Sequence, residues 1–386
     1  MKSEIIVSSP DEARVREELN KRTDPEALRM RRFLAMPDLS RTPGSPLHEI
    51  VVRTLKVKSL EGFDVIKIPE IISAHILFDL FNMPPGHPAR SPSDTYYVDD
   101  EFVLRTHDTV FWYYYLQHSE IKKKIERGES LGVICHGKVY RKDEIDRKHM
   151  NVFHQMGGLF LMPDNKKIIP PDELKRVLSE IAQSIFGTNV KFRFYDHNFP
   201  YTDPSFEMEA EIHGQWIEML GSGMPRKSVL ENFGLTGYNG WAFGFGLERL
   251  AIASMALPDI RLLWSADERV KRQLKLGNNY QEVSKYPPIT RDISFVVASD
   301  FVPNNYFDVI RDIGGFDKLT AGGNLIEEVA LLDKYENAEK FGAGKISYTY
   351  RIVYRSNERT LTISEIEPIE RRIVDATRTQ FGAEIR

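Results

Sequence analysis

Gly240-Trp241-Ala242-Phe243-Gly244-Phe245-Gly246-Leu247-Glu248-Arg249-Leu250 is the stretch on which the reading of the fold turns. Glycines crowd an aromatic strand just before a helix starts. A strand glycine lets another backbone or a ligand approach closely. The helix then carries an arginine in its first turn, although the positive end of a helix dipole favours acids there. Arg249 therefore asks for an anionic partner, and a polyphosphate suits a guanidinium. Taken alone, the same letters also describe a glycine-rich packing strand followed by an incidental arginine.

Upstream, Gly137-Lys138-Val139-Tyr140-Arg141-Lys142-Asp143 leads through a polar loop containing His149 into Val152-Phe153-His154-Gln155-Met156-Gly157-Gly158. This reads as two strands joined by a charged loop. An arginine on such a strand holds a phosphate through two bonds, and an aromatic on the return strand stacks a base. A solvated hairpin with ordinary surface charge is the other reading of these residues.

Further out, the chain has 386 residues, 41% of them hydrophobic and 28% charged. That length predicts two domains. With 52 Lys and Arg against 56 Asp and Glu, the net charge is −4. A plain nucleic-acid binder is usually basic, so the balance points to an enzyme with at most a local basic face. The single cysteine, Cys135, excludes an internal disulfide and a cysteine-rich zinc site and fits a reducing compartment. No apolar run reaches membrane-spanning length. Met1-Lys2-Ser3-Glu4 resembles neither a secretory signal nor a transit peptide. The expected location is the cytoplasm or an organelle matrix such as the mitochondrial one, a transit peptide being absent or removed.

Along the chain, residues 1–46 read as a helical extension, with Asp11-Glu12 at a helix start and a loop at Pro43-Gly44-Ser45-Pro46. Phe63–Ile68 and Gly214–Gly221 have strand character. The absence of regular strand–helix alternation disfavours a doubly wound parallel sheet, so residues 47–270 are expected to form an antiparallel sheet flanked by helices. Residues 271–284 read as a linker containing Lys271, Arg272 and Lys275. Residues 285–386 parse as strand (292–298), helix (305–313), strands (327–335 and 345–354), helix (364–380) and a short last strand. That βαββαβ order is ferredoxin-like. Ser364, with Glu365 and Glu367, is the expected start of the last helix. The fold class is α+β.

In this order, the Gly137–Gly158 and Gly240–Leu250 segments resemble motifs 2 and 3 of class II aminoacyl-tRNA synthetases. Three more segments are similar to the single-chain, organelle-type phenylalanyl-tRNA synthetases: Pro85-Gly86-His87-Pro88-Ala89-Arg90 with Tyr96-Tyr97, Phe199–Glu209, and Leu257–Leu262. The last domain resembles that family's anticodon-binding module through Lys285-Tyr286-Pro287, Asp292-Ile293-Ser294-Phe295 and Glu358-Arg359-Thr360-Leu361-Thr362. The resemblance runs from about residue 60 to the end.

This likeness implies a class II antiparallel-sheet catalytic domain, a ferredoxin-like anticodon-binding domain, and a monomer. It implies ATP and Mg2+, phenylalanine and tRNA(Phe) as partners, and two-step loading of the 2′-hydroxyl. Arg141 would bind the α-phosphate and Arg249 the γ-phosphate. Phe153 would stack on adenine, His149 and Asp143 belong to the ATP loop, and Glu218 would hold ATP or its magnesium. His107, Thr109 and Gln155 would line the amino-acid site. Phe199 and Tyr201 would grip the phenyl ring edge-to-face, with Ala242 at the pocket floor. Arg351, Arg355 and Arg359 are candidate tRNA contacts, on one side of a strand if that strand runs far enough. A solvated face balancing nearby acids is the alternative, because residues 285–386 hold 14 basic and 16 acidic side chains.

The sequence departs from the family at three places in the amino-acid site. Gly157 stands where the family has a glutamate that pairs with the substrate ammonium, Thr109 where it has serine, and Tyr201 where it has a second phenylalanine. Altered or relaxed amino-acid choice is therefore a second reading, and a non-catalytic RNA-binding paralogue a third. Asp108 is an acid that the family element lacks. Strand alternation nevertheless turns it away from the pocket if His107 and Thr109 face inward. On that basis Gly157→Glu is expected to tighten phenylalanine binding, provided the pocket has room.

Overall fold

The computed structural model describes residues 4–282, 286–314, 325–356 and 358–386. Lys285, with Val283 and Ser284 of the expected linker, lies outside the described residues. Two compact units emerge. One comprises Met1–Tyr140, Val152–Leu257 and Leu274–Asn279, and the other comprises Arg141–Asn151, Pro258–Gln273 and Tyr280–Arg386.

The first unit is built on eight strands: β1 (Ile5–Ile6), β2 (Asp64–Lys67), β5 (Leu131–Tyr140), β6 (Val152–Pro163), β7 (Phe192–His197), β8 (Thr202–Ile212), β9 (Gln215–Pro225) and β10 (Tyr238–Gly246). Two short strands, β3 (Ile71–Ser73) and β4 (Phe102–Leu104), pair separately. The large sheet runs β1-β2-β5-β6-β10-β9-β8-β7. Every neighbour is antiparallel except β1–β2 and β2–β5, as the lack of βαβ alternation predicts.

Its centre is the trio β5, β6 and β10. Gly157 of β6 lies between Cys135 of β5 and Gly244 of β10. The packing there is close enough to exclude side chains. A Cβ at Gly240 would sit 1.8 Å from the carbonyl oxygen of Phe160, so only glycine fits that strand crossing. The helix Pro171–Phe186 buries Leu174, Val177, Leu178, Ile181, Ala182 and Ile185, the three-and-four spacing of a helix with one apolar face.

The N-terminal segment is part of this unit. Helices Pro10–Lys21 and Pro25–Ala35 start on Ser9 and Asp24, whose side chains accept from Glu12 N–H and Ala27 N–H. The buried Lys138 ammonium donates to the carbonyls of Leu34 and Met36, each at 2.9 Å, and pairs with Glu70. These bonds tie β5 to the end of the second helix.

In the second unit, β11 (Ile289–Ala298), β12 (Ile326–Glu336), β13 (Lys345–Tyr354) and β14 (Glu384–Ile385) form a sheet in the order β12-β13-β11-β14. Helices Pro303–Gly314 and Ile363–Phe381 complete the expected ferredoxin-like order. Phe295, Tyr306, Tyr350 and Ile373 are fully buried in its core. The last helix starts on a capping box between Thr362 and Glu365, not on Ser364. Thr362 is the residue that still has extended geometry, so its side chain reaches the free N–H groups.

The loop Arg141–Asn151 belongs to this unit. The Arg311 guanidinium donates to the carbonyls of Asp143 and Glu144 at 2.8 and 2.7 Å. Asn151 donates to Asp308 at 3.2 Å, and Ile145 is buried in the unit's core. No helix among the described residues is long and apolar enough to cross a membrane.

Candidate active site

β10 hands directly into the helix Leu247–Met255, as the glycine-rich stretch predicts. Arg249, in the first turn, projects to Glu218 of β9, with Nη1 2.6 Å from Oε1. The two side chains keep 49% and 48% of their exposure, so both heads remain open to solvent and to a ligand. The sequence thus brings together an expected phosphate-binding arginine and an expected metal- or ATP-binding carboxylate.

Glu248, next to Arg249, was not singled out by the sequence. Its buried carboxylate accepts from the backbone N–H of His154 at 2.8 Å and faces His154 Nδ1 at 2.6 Å. Leu39 N–H donates to His154 Nε2 at 2.9 Å. Nε2 is therefore the unprotonated nitrogen, and Nδ1–H donates to Glu248. This bond fixes the helix carrying Arg249 to the stretch of β6 carrying Phe153 and Gln155. The only signal visible in the sequence was an acid in a first helical turn.

Side chains two apart share a sheet face, so Phe153, Gln155 and position 157 form one row on β6. Phe153 and Gln155 are partly buried. The Gln155 Oε1 accepts from Asp108 N–H at 2.9 Å, which commits one lone pair of the residue assigned to the substrate's amino group.

Of the ring-gripping residues, Phe199 and Tyr201 lie parallel to each other, 5.7 Å apart at 10°. Tyr201 stands edge-on to Phe81 and to Trp112, at 6.0 Å in each case. A Cβ at Gly221 would lie 2.8 Å from Phe199 Cζ, so glycine there is what seats the Phe199 ring. Ala242 is buried in the same apolar cluster as Phe81 and Trp112. His107 meets Phe81 edge-on at 6.1 Å, and Thr109, partly buried, accepts from Trp112 N–H through its carbonyl. Phe81 and Trp112 are aromatic neighbours that sequence reasoning missed.

Asp108 requires a correction. The chain leaves β4 at Leu104 and enters the helix Phe111–Gln117, so residues 107–109 are not a strand and alternation does not apply to them. The Asp108 carboxylate is only 2% exposed. Its Oδ2 lies 2.7 Å from where a Gly157 Cβ would be, and its Oδ1 lies 3.6 Å from the corresponding point at Gly244. It faces the row of Phe153 and Gln155, not away from it, and no room is left for a glutamate at 157 beside it.

Arg141, Asp143 and His149 belong to the other unit. Arg141 N–H donates to the Asn151 carbonyl at 3.0 Å. His149 Nδ1 lies 2.8 Å from Asp146 Oδ2, and Asp146 also accepts from the backbone of Lys148 and His149, which shapes the loop's tip.

Each candidate tRNA-contacting arginine is ion-paired. Arg351 holds Asp292 through two bonds of 2.8 Å, Arg355 holds Glu327 at 2.6 Å, and Arg359 holds Glu365. β13 ends at Tyr354, so strand alternation does not carry Arg355 and Arg359 onto one side with Arg351.

Behind β5, His136 is buried against Ser40 (2.9 Å) and accepts at Nδ1 from Arg41 at 3.2 Å. Burial and the Arg41 guanidinium push this imidazole down to about 3. Burial pushes the Cys135 thiol up to about 12, so it is a packing residue and not a nucleophile.

Residues 36–274 match the family model described as tRNA synthetases class II core domain (F), and residues 284–386 match the ferredoxin-fold anticodon binding domain. A chloroplastic/mitochondrial phenylalanine–tRNA ligase of Arabidopsis thaliana is 38% identical over 327 residues, covering 82% of this chain and 71% of that protein. The mitochondrial phenylalanine–tRNA ligase of Mus musculus is 32% identical over 358 residues, covering 83% and 74%. Among solved structures, a pyrrolysyl tRNA synthetase of Desulfitobacterium hafniense has a TM-score of 0.44 at 18% identity, over 58% of this chain and 73% of that one.

Proposed function

We propose, for a chain that belongs to the phenylalanine–tRNA ligase family of class II aminoacyl-tRNA synthetases, how its own residues perform that family's two-step reaction. The chain is an ATP-dependent aminoacyl-tRNA ligase. The observation that carries the assignment of roles is the Arg249–Glu218 pair at 2.6 Å, on elements that flank the glycine-rich β10.

In the first step a carboxylate oxygen of phenylalanine attacks the α-phosphorus of ATP. The bond to the β-phosphate oxygen breaks, and pyrophosphate leaves. No protein nucleophile is needed; the work is in-line positioning and neutralisation of phosphate charge. Arg249 takes the γ-phosphate. Arg141 is assigned the α-phosphate through the likeness of residues 137–158 to motif 2, and His149 and Asp143 the outer ATP contacts of that loop. Phe153 stacks on adenine.

Glu218 is a hard oxygen donor on an open surface. No group of three or more His, Cys, Asp or Glu side chains able to hold a metal occurs among the described residues. Glu218 would be the carboxylate that holds Mg2+ beside the nucleotide. When bound there, the ion would supply charge neutralisation on the phosphates.

Phe199, Tyr201 and Ala242 take the phenyl ring, supported by Trp112 and Phe81, while His107, Thr109 and Gln155 border the polar end. In the second step the 2′-hydroxyl of the tRNA's terminal ribose attacks the adenylate carbonyl, and AMP leaves. By role the chain divides into 1–46, 47–270, a 271–284 linker and 285–386, with the last recognising the anticodon of tRNA(Phe). The packing units cut it differently, since 1–46 lies within the first unit and 141–151 and 258–273 within the second. The working form is a monomer in the cytoplasm or an organelle matrix. Basic contacts to tRNA at Arg351, Arg355 or Arg359 require each to leave an acid.

Tyr201, which stands among Phe81, Trp112 and Phe199 where the family has a second phenylalanine, favours a second reading in which amino-acid choice is altered. ATP–pyrophosphate exchange with a panel of amino acids, followed by tRNA charging, tests both. Exchange led by phenylalanine supports the first reading, another leading amino acid supports the second, and no exchange with any amino acid refutes the catalytic assignment.

A further inference from the structure

We propose that Asp108 supplies the carboxylate that grips the substrate's α-ammonium, and that glycine at 157 makes room for it. The proposal rests on the reading that this site activates phenylalanine. It assigns the grip to a different element of the fold. The acid arrives from the turn between β4 and the helix Phe111–Gln117, not from the motif 2 strand.

Three observations converge on this assignment. The first is position. Asp108 Oδ2 lies 2.7 Å from the point a Gly157 Cβ would occupy, and Oδ1 lies 3.6 Å from that of Gly244. Gly157 and Gly244 are register partners across β6 and β10. The carboxylate therefore lies over this pair, on the face shared by Phe153, Gln155 and position 157.

The second observation is restraint. Asp108 N–H is held by Gln155 Oε1 at 2.9 Å, and its carbonyl accepts from Phe111 N–H at 2.8 Å. An acid fixed at both ends of its backbone keeps its place before substrate arrives, which is what a binding group needs.

The third is chemistry. An ammonium only donates hydrogen bonds, and an ionised carboxylate only accepts them. Bonds between two ions are also the stronger class. Gln155 has given one of the two lone pairs of Oε1 to Asp108, so it positions Asp108 and can offer an ammonium only the other. Glycine at 157 is then a requirement as long as Asp108 stands beside it. Any Cβ there would meet not only Asp108 but also Phe111 Cε1 and the Phe243 carbonyl oxygen, each at 3.0 Å. Of these, Asp108 Oδ2 at 2.7 Å is the tightest. The two contacts at 3.0 Å need a give of a few tenths of an ångström, so a side chain at 157 fits only once the carboxylate at 108 is gone.

The grip is measured by the ratio of two inhibition constants in ATP–pyrophosphate exchange. Phenylalaninol keeps the ammonium, and 3-phenylpropan-1-ol lacks it. Asp108→Asn is expected to shrink the preference for phenylalaninol by roughly 10- to 100-fold, the cost of losing one charged hydrogen bond, with the KM for ATP within a few-fold of its original value. A purely structural acid would weaken both inhibitors together and leave the ratio unchanged, and that result overturns the proposal.

The double variant Asp108→Thr/Gly157→Glu moves the charge back to β6. It is expected to recover preference for phenylalaninol, whereas Gly157→Glu alone weakens both inhibitors. If Asp108→Asn does not fold, the double variant decides: a folded double variant with no preference for phenylalaninol over its des-amino analogue overturns the proposal. If the unaltered protein activates an amino acid other than phenylalanine, the phenylalanine reading falls. The same ratio, measured with the amino alcohol of that amino acid, still decides Asp108.

Discussion

Replacing Arg249 with alanine should separate the chemistry from the fold. In the structure the guanidinium meets one carboxylate, Glu218, at 2.6 Å, and both side chains are half exposed. An ion pair so open to solvent stabilises a protein by no more than about 1 kcal/mol. For a unit of this size, that corresponds to a loss of about 2–4 °C in melting temperature. The expected effect on catalysis is much larger. Removing one preorganised donor to charge that develops in the transition state costs about 3–4 kcal/mol, or roughly 100- to 1000-fold in rate. Thermal unfolding and ATP–pyrophosphate exchange, measured on the same preparation of Arg249→Ala, compare the two. Exchange within a few-fold of the unaltered protein refutes the assignment of Arg249 to the γ-phosphate. A drop in melting temperature many times larger than a surface ion pair allows would show that Arg249 is a structural residue instead.

Two further outcomes follow from the buried groups. Glu248→Ala leaves His154 N–H and Nδ1–H without their acceptor, at a cost of about 1–3 kcal/mol for each orphaned donor. A lowered melting temperature with a raised KM for ATP is the expected pattern, since the same bond positions the helix of Arg249; unchanged values of both would contradict it. His136 provides a pH signature. Its folded value, about 3, lies below the ordinary 6.5, so the unfolded chain binds the proton more readily. That contribution to stability is complete above about pH 6.5 and is lost as the pH falls towards 3, at up to about 1.4 kcal/mol per unit. Denaturant titrations across this range should show the decline, and His136→Asn should flatten it. An equal slope in the variant would assign the decline to other groups.

Much of this protein was legible in the sequence because the relevant physics is local. The glycine-rich strand that hands into a helix at Leu247 follows from backbone sterics and periodicity. The order of elements in residues 285–386 follows from alternation and helix starts. Arg249 stood out because its charge opposes the dipole of its own helix, and its meeting with Glu218 brought together two residues singled out in advance.

The tertiary structure decided what local pattern cannot. Asp108 was expected to face away because strand alternation was applied to a segment that had already left its strand at Leu104. Its direction is set by Gln155, 47 residues later, which holds its backbone. Glu248 looked like an ordinary first-turn acid until His154, 94 residues earlier, closed on it. Arg355 and Arg359 lost their shared strand face because β13 stops at Tyr354. In each case the deciding partner is remote in the chain. Periodicity reports which face a residue takes within its own element, while burial, charge partners and available space depend on what packs against that element.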